Sequence, residues 1–250
     1  MEKHTYGKPP IEEATCQFSL ADPLQWGPDS ARQLFERVRS VYPAMPMQQQ
    51  VLQANLSAAA SEAASGLTIA PTERVVFTDE SGESRLSVSA EVIGVHRVKP
   101  YISFDKEMLP RLKRDISLLD GQLPSEPFKS IAVRYINKVE IAETSVDLGD
   151  YFTHWGAQRD LPVGFDGTIT GFFYRTAAQD RSHPLSLVLN FGSVAAEKDK
   201  SAFILDIDLT YTFAEPVDSD AAISRIVEVK SMENEIFESM ITARTRELFQ

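Results

Sequence analysis

Two aspartates spaced two residues apart, Asp206 and Asp208, form the sharpest acidic pair in the sequence. They lie in the alternating segment 204–209, so a strand there would place both carboxylates on one face, roughly 7 Å apart. A divalent metal can bind two such oxygens, and phosphoryl chemistry often uses them. The competing interpretation is that both side chains belong to the solvated face of a strand whose other face is apolar. Spacing alone identifies no third acidic ligand.

A second group of polar side chains lies in residues 131–141, the segment with the clearest strand pattern. Arg134 and Lys138 fall on one face of this strand, where they could bind a carboxylate or a phosphate. Asn137 falls among the apolar residues of the other face, and a buried amide there needs hydrogen-bond partners. It could therefore join the sheet to a neighbouring loop. A purely structural use of these residues is the alternative.

Aromatic residues cluster after this strand, and they include Tyr151, Phe152 and Trp155. Such a cluster is typical of the edge of an apolar core. It can also line a cavity between a sheet and a helix. In that second interpretation Trp155 is a binding residue.

The common catalytic motifs are missing from the sequence. There is no glycine-rich phosphate loop, no nucleophile elbow and no helical pair of zinc-binding histidines, and the four histidines lie far apart. The single cysteine, Cys16, falls on the apolar side of its strand, where a thiol usually serves as packing. We therefore predict neither a catalytic residue nor a cofactor.

The composition is that of a globular protein with an excess of acidic residues, because hydrophobic residues make up 43% and the net charge is −11. Residues 1–125 carry a net charge of −3 and residues 126–250 carry −8. This acidity argues against direct binding of nucleic acid, which depends on Lys and Arg at phosphates. The acidic half could instead bind a basic protein surface or mimic nucleic acid to block one. The simpler interpretation is that the acidic residues keep the protein soluble. No apolar run is long enough to cross a membrane, and the start lacks the apolar core of a secretory signal, so the sequence predicts a cytoplasmic protein.

The elements that position these residues follow a similar order twice. A strand, a helix, two or three strands and a second helix fill residues 11–120, and a comparable order fills residues 128–249. The alternation of apolar and polar residues favours antiparallel strands. We predict an α+β protein of two similar halves, each an antiparallel sheet with helices on one face, of the helix-grip or saddle type. Residues 1–120 form the first half, residues 121–128 a linker and residues 129–250 the second half.

Three finer predictions concern individual segments. Residues 44–72 are rich in Gln, Ala and Ser, and they fit either a weak helix or a mobile loop. The apolar parity changes at Ile93, which predicts a bulge near Gly94. Asp218 or a residue close to it caps a long terminal helix, whose apolar positions recur at three and four residues. This helix serves the core, and it could also form a homodimer.

Three short motifs resemble a known family. They stand near the start, the centre and the end of the chain: Pro9-Pro10-Ile11-Glu12-Glu13-Ala14, Val133-Arg134-Tyr135-Ile136-Asn137-Lys138 and Phe237-Glu238-Ser239-Met240-Ile241-Thr242. In this order they are similar to a sporadically distributed family of uncharacterised bacterial proteins of about this length. The patchy distribution of that family implies a role in phage defence or in a toxin–antitoxin pair, and it implies no particular catalytic residue.

From these patterns we expect a non-catalytic protein-binding component of a bacterial defence or toxin–antitoxin-type system. Its partner would be a protein encoded nearby, contacted through the acidic second half or the terminal helix. The alternative is an enzyme or small-ligand-binding protein with a cavity between sheet and helix. In that case Asp206 and Asp208 would hold a metal for phosphoryl chemistry, or Arg134 and Lys138 would bind an anionic ligand.

Overall fold

The computed structural model describes residues 6–25, 29–56, 67–153 and 170–250, and it places side chains throughout these ranges except at 51–56 and 67–72. These described residues form nine strands: β1 (Ile11–Leu20), β2 (Met47–Leu56), β3 (Leu67–Thr78), β4 (Ser84–Ser89), β5 (Val92–Val98), β6 (Phe128–Ile141), β7 (Phe173–Gln179), β8 (Leu185–Val194) and β9 (Ser201–Val217). The helices are α1 (Ser30–Val38), α2 (Leu109–Ser117), α3 (Leu148–Tyr151), α4 (Ser219–Met240) and α5 (Ala243–Glu247). A π-helical turn, Phe104–Met108, leads into α2.

All nine strands join one antiparallel sheet in the order β2-β3-β4-β5-β1-β6-β9-β8-β7. The prediction of two similar halves, each with its own sheet, is therefore wrong. The two parts of the chain meet where β1 pairs with β6, and Thr15 lies opposite Arg134 there. In two separate sheets both strands would be edges with unpaired backbone groups, and pairing them removes both edges.

The apolar core lies on one side of this sheet, which we call the core face. One buried cluster joins β1, β5 and β6 to α1, α2 and α4, and a second joins β6, β8 and β9 to α3 and the end of α4. The other side, which we call the polar face, carries Thr15, Arg134 and Asp206. Among the described residues, neither cluster includes a strand residue from the polar face. The two faces can therefore serve different purposes.

The strand β6 shows how the sequence produces two unlike faces. Side chains alternate across a strand, so Ile131, Val133 and Tyr135 all point into the core face and are at most 1% exposed. Arg134, which lies between Val133 and Tyr135 in the sequence, and Lys138, which follows them, lie on the polar face. The predicted alternation of this segment is confirmed.

Helix α4 covers the centre of the core face, where it packs against β6 and β9. Its N-cap is Asp218, whose carboxylate accepts a hydrogen bond from the backbone N–H of Ala221 at 2.8 Å, as the sequence predicted. Its buried residues include Ile223, Ile226 and Val229, at the spacing of one helix face. None of the helices in the described ranges is long and apolar enough to cross a membrane.

Two local predictions need correction. The described parts of 44–72 lie largely in strands, because β2 and β3 pair from Met47 opposite Val76 onwards. Within this pair β2 forms the edge of the sheet. An edge strand needs few apolar residues, so the sequence of β2 lacks the usual alternation. There is also no bulge at Gly94: β4 and β5 are separate strands joined at residues 90 and 91, and Ser87 pairs regularly with Gly94. The reversal of the chain explains the change of apolar parity.

Candidate functional site

A row of hydrogen bonds crosses the polar face from β6 to β7. The guanidinium of Arg134 donates twice to Asp206, from Nε to Oδ1 and from Nη2 to Oδ2, both at 2.8 Å. Asp206 Oδ2 also accepts from Asn190 Nδ2 at 2.9 Å, and Asn190 Oδ1 accepts from Arg175 Nη1 at 3.0 Å. We call these four residues the arginine–aspartate network. Such bidentate pairs are among the stronger hydrogen-bonded contacts in proteins.

The two aspartates of the predicted metal pair have different environments. The side chain of Asp206 is 7% exposed, and both of its oxygens are bound by Arg134. Asp208 stands directly opposite Arg134 in the register, yet Arg134 binds its diagonal neighbour. Burial raises the pKa of Asp208, and its Oδ1 has no hydrogen-bond partner among the described residues. The hydrogen bonds to Asp206 raise the pKa of Arg134.

This geometry bears on the predicted metal site. The described residues contain no group of three or more His, Cys, Asp or Glu side chains arranged to hold a metal ion. A metal at Asp206 and Asp208 would also have to displace the guanidinium of Arg134. Metal binding by the pair stays a prediction, and it would require the loss of the hydrogen bonds between Arg134 and Asp206.

Arg134 and Lys138 do not converge on one ligand. Lys138 Nζ instead binds Glu140 at 2.7 Å, and this contact raises the pKa of Lys138. Asn137 lies on the core face, 3% exposed, and its Nδ2 donates to the backbone carbonyl of Leu205 at 3.3 Å. That partner belongs to the adjacent strand β9 rather than to a loop. The amide therefore holds two central strands together.

The aromatic segment after β6 is only partly described. Phe152 is buried, with its ring centroid 4.7 Å from that of Phe191, and Tyr151 donates its hydroxyl hydrogen to Glu143 at 2.8 Å. Both therefore belong to the edge of the core. Trp155, the predicted binding residue, lies outside the described residues.

A cavity of about 750 Å³ opens at the end of the sheet where β1 begins. We call it the end-of-sheet cavity. Its lining comes from distant parts of the chain, and it includes four lysines, two glutamates and an apolar wall: Lys8, Lys99, Lys138, Lys200, Glu12, Glu140, Pro9, Pro10, Ile11, Tyr101, Ile102, Leu248 and Phe249. Lysines are strongly represented here although the chain as a whole is acidic.

Three of these lysines form ion pairs with carboxylates. Lys99 Nζ binds Glu12 at 2.8 Å, Lys138 binds Glu140, and Lys200 Nζ binds Glu197 at 2.7 Å, which raises the pKa of Lys200. Exposed pairs of this kind contribute little to stability because water screens them. A carboxylate or phosphate that enters the cavity would compete with these glutamates for the lysines.

The segments that carry the family resemblance meet at this end of the molecule. Pro9 to Glu12 of the first motif and Lys138 of the second line the cavity. In the third motif, Glu238 accepts a hydrogen bond from the hydroxyl of Tyr6, whose ring lies 5.2 Å from that of Phe249. The sequence indicated only Lys138 as a ligand-binding candidate here. No local pattern connects it with Lys8, Lys99 and Lys200.

Comparisons with known proteins do not place the chain in a family. No protein-family model matches it, and no curated protein matches it either. The resemblance to the sporadically distributed bacterial family therefore stays a prediction.

Proposed function

We propose that this chain works by binding, as the protein-binding component of a bacterial defence or toxin–antitoxin-type system. Its partner places an extended segment with carboxylate side chains in the end-of-sheet cavity. One observation supports this most directly: four lysines from separate parts of an acidic chain line a single cavity. Ammonium groups bind carboxylates through charge-assisted hydrogen bonds.

The apolar wall of the cavity supports a peptide as the occupant. Pro9, Pro10 and Ile11 form an extended stretch on one side, and the side chain of Ile102 is 65% exposed on another. Exposed apolar surface beside charged groups is typical of interaction sites. The aliphatic parts of a partner segment would cover this wall while its carboxylates bind the lysines.

The exposed side of α4 is the second surface that a protein partner could use. Val227 and Met232 are 41% and 38% exposed, and Glu228 and Glu235 lie on the same solvent side. This surface corresponds to the contact predicted from the sequence through the terminal helix. We assign the partner to the end-of-sheet cavity instead, because four lysines lie together there.

Co-expression with the neighbouring genes tests the proposal. The tagged chain is purified together with the proteins encoded beside it, first as wild type and then as the double variant Lys138→Glu with Lys200→Glu. We expect the wild type to retain a partner and the double variant to lose it, because the variant reverses two of the four positive charges in the cavity. A third preparation with Met232→Glu tests the surface of α4.

A matched control keeps the charge change and moves it elsewhere. Lys113 and Lys129 are both exposed and do not line the cavity. The variant Lys113→Glu with Lys129→Glu should therefore retain the partner. Recovery of a partner-free monomer from the wild type contradicts the proposal, and so does full retention by the cavity variant.

A small anionic ligand is a second candidate for the same cavity. The volume of about 750 Å³ lies within the range of roughly 300–1,000 Å³ that is common for small-molecule sites. Calorimetry with ATP and with inorganic phosphate, each with and without Mg²⁺, decides between the two occupants. Heat that disappears in Lys138→Glu with Lys200→Glu supports the small ligand, and no heat in wild type excludes these anions. Mg²⁺ binding that depends on Asp206 and Asp208 would instead support the metal alternative.

A further inference from the structure

Four polar side chains form a hydrogen-bonded series on the polar face, and none of them lines the end-of-sheet cavity. Ser87 Oγ on β4 lies 2.8 Å from Nε2 of His96 on β5. His96 Nδ1 lies 3.2 Å from Oε1 of Glu13 on β1. Thr15, also on β1, lies 3.1 Å from the same Nδ1 and donates its hydroxyl hydrogen to Glu13 at 3.2 Å. These residues are distant along the chain, and the strand order β4-β5-β1 brings them together.

The partners determine which nitrogen of the imidazole carries the proton. The ionised carboxylate of Glu13 can only accept, so Nδ1 of His96 must donate to it. Nε2 then has a lone pair that can accept from the hydroxyl of Ser87 at 2.8 Å, which is a shorter contact than the 3.4 Å from the same hydroxyl to the carbonyl oxygen of Gly94. This is the order of an activated nucleophile: a hydroxyl, a base that can take its proton, and an acid that orients the base. The hydrogen bond to His96 lowers the pKa of Glu13, which keeps the carboxylate charged.

Gly94 makes room for this contact. A Cβ atom at this position would lie 2.6 Å from Ser87 Oγ and 2.7 Å from His96 Nε2, and both distances are shorter than real Cβ contacts. Gly94 lies within β5 in regular register and its φ angle is not positive, so the backbone does not require glycine here. The missing side chain therefore serves the approach of Ser87 to His96.

The neighbouring Ser89 shows that this contact is specific to Ser87. Ser89 lies two residues further along the same face of β4 and is also buried, at 3% exposure. Its hydroxyl donates to the backbone carbonyl of Val92 and accepts from the backbone N–H groups of Glu91 and Val92, where β4 turns into β5. The two serines thus lie on the same face of the same strand and are both buried, but only Ser87 contacts the imidazole of His96.

Positive charge is available beside the series. Arg85 stands directly opposite His96 on the polar face, and its charge contributes to the lowered pKa of Glu13. The backbone amides of β4 and β5 are engaged in the sheet ladder. A negative charge that develops near Ser87 would therefore be stabilised by the guanidinium of Arg85 rather than by backbone amides.

We propose that Ser87 is a nucleophile, with His96 as its base, Glu13 as a positioning residue and Arg85 as the stabilising cation, and that it accepts acyl groups from small esters. Ser87 Oγ attacks the carbonyl carbon, the ester C–O bond breaks, and the hydroxyl proton passes through Nε2 to the departing alkoxide. Water then releases the acid by the same route and restores the serine. Ser87 and His96 are only 5% and 8% exposed, which is why we restrict the proposed substrates to small esters.

This activity goes beyond the binding proposed for the end-of-sheet cavity and does not depend on it. The variant Lys138→Glu with Lys200→Glu should leave it unchanged, because neither lysine touches the series. The two proposals can therefore fail separately.

The test uses the full chain with a fluorophosphonate probe and with p-nitrophenyl acetate. We expect labelling of the wild type at one residue, identified as Ser87 by peptide mass, and loss of labelling in Ser87→Ala. Ser89→Ala should keep it. Removing the base in His96→Gln should slow labelling by about 10²–10⁴-fold, the usual contribution of a general base. Labelling equal in the wild type and Ser87→Ala overturns the proposal.

Two further variants separate chemistry from folding. Gly94→Ala should suppress labelling, because the new Cβ separates Ser87 from His96. Glu13→Gln keeps the shape of the carboxylate without its charge, so it should slow labelling and change the dependence of the labelling rate on pH. A purely structural role of Glu13 would leave that pH profile unchanged. Thermal melts of all variants show that the loss occurs in folded protein.

Discussion

At the scale of single residues, Asp206 and Asp208 show how two identical side chains acquire different properties. They share a strand and a face, yet Nε and Nη2 of Arg134 both donate to Asp206. Asp208 Oδ1 has no hydrogen-bond partner among the described residues. Burial then raises the pKa of Asp208. The charged form of Asp208 is therefore less stable in the folded protein than in the unfolded chain.

The substitution Asp208→Asn tests this asymmetry. A carboxyl whose folded pKa is raised stabilises the fold at pH values below its unfolded pKa, and that contribution is lost as the pH rises through the folded pKa. Wild type should therefore lose stability between acidic and neutral pH, whereas Asp208→Asn lacks this component. We expect the free energy of unfolding of the variant, relative to wild type, to rise over that interval.

Urea unfolding at a series of pH values between acidic and neutral measures this difference. Asp206→Asn is the control, because it weakens the pair with Arg134 and should be destabilising by about 1–3 kcal/mol at neutral pH. A constant difference between Asp208→Asn and wild type across the pH series would contradict the assignment.

The sequence located some of the site residues and missed their partners for a physical reason. Alternation placed Arg134 and Lys138 on one face and Asn137 on the other, and the structure agrees. The contact of Arg134 with Asp206 is diagonal, so it depends on the register of β6 against β9. The approach of Ser87 to His96 depends on a glycine that the sequence suggested as a bulge. Register and close packing are not properties of one segment.

At the scale of elements, α4 is the best predicted part of the chain because all of its signals are local. Asp218 supplies the cap, the apolar spacing supplies one buried face, and the helix runs from Ser219 to Met240. The cap can be tested directly. Asp218→Ala should lower the free energy of unfolding by about 1 kcal/mol, the usual value of an N-cap side chain.

A second acidic residue of the first turn provides the control for this prediction. Asp220 is exposed, and Asp220→Ala removes the same charge near the helix N-terminus without removing the hydrogen bond to the N–H of Ala221. The difference between the two variants in urea unfolding isolates the cap. Equal effects would show that charge alone explains the role of Asp218.

Other elements were harder to predict because their stability comes from neighbours. The strand β2 contains few alternating apolar residues, and its pairing with β3 holds it at the edge of the sheet. The pairing of β1 with β6 joins segments more than a hundred residues apart, and alternation does not reveal which strand lies beside which. The two-sheet prediction failed at this point, although each of the two strands was predicted.

At the scale of the whole molecule, one sheet provides three separate surfaces. The core face holds the helices and the apolar clusters, the polar face holds the arginine–aspartate network and the Ser87 series, and one end of the sheet holds the lysine-lined cavity. The predicted division into residues 1–120 and 129–250 stays a prediction. Both ranges supply strands to this sheet and residues to the same central cluster.

Because β1 lies in the middle of that sheet, Cys16 is a probe of the global opening of the sheet. Burial raises the pKa of this thiol to about 12, and the strand has a hydrogen-bonded neighbour on both sides. We expect iodoacetamide to modify it at neutral pH only in molecules whose sheet has opened, and rapidly in urea. Mass spectrometry over time measures the fraction of carbamidomethylated Cys16. Fast modification of the native protein would show that β1 separates while the remaining strands stay paired.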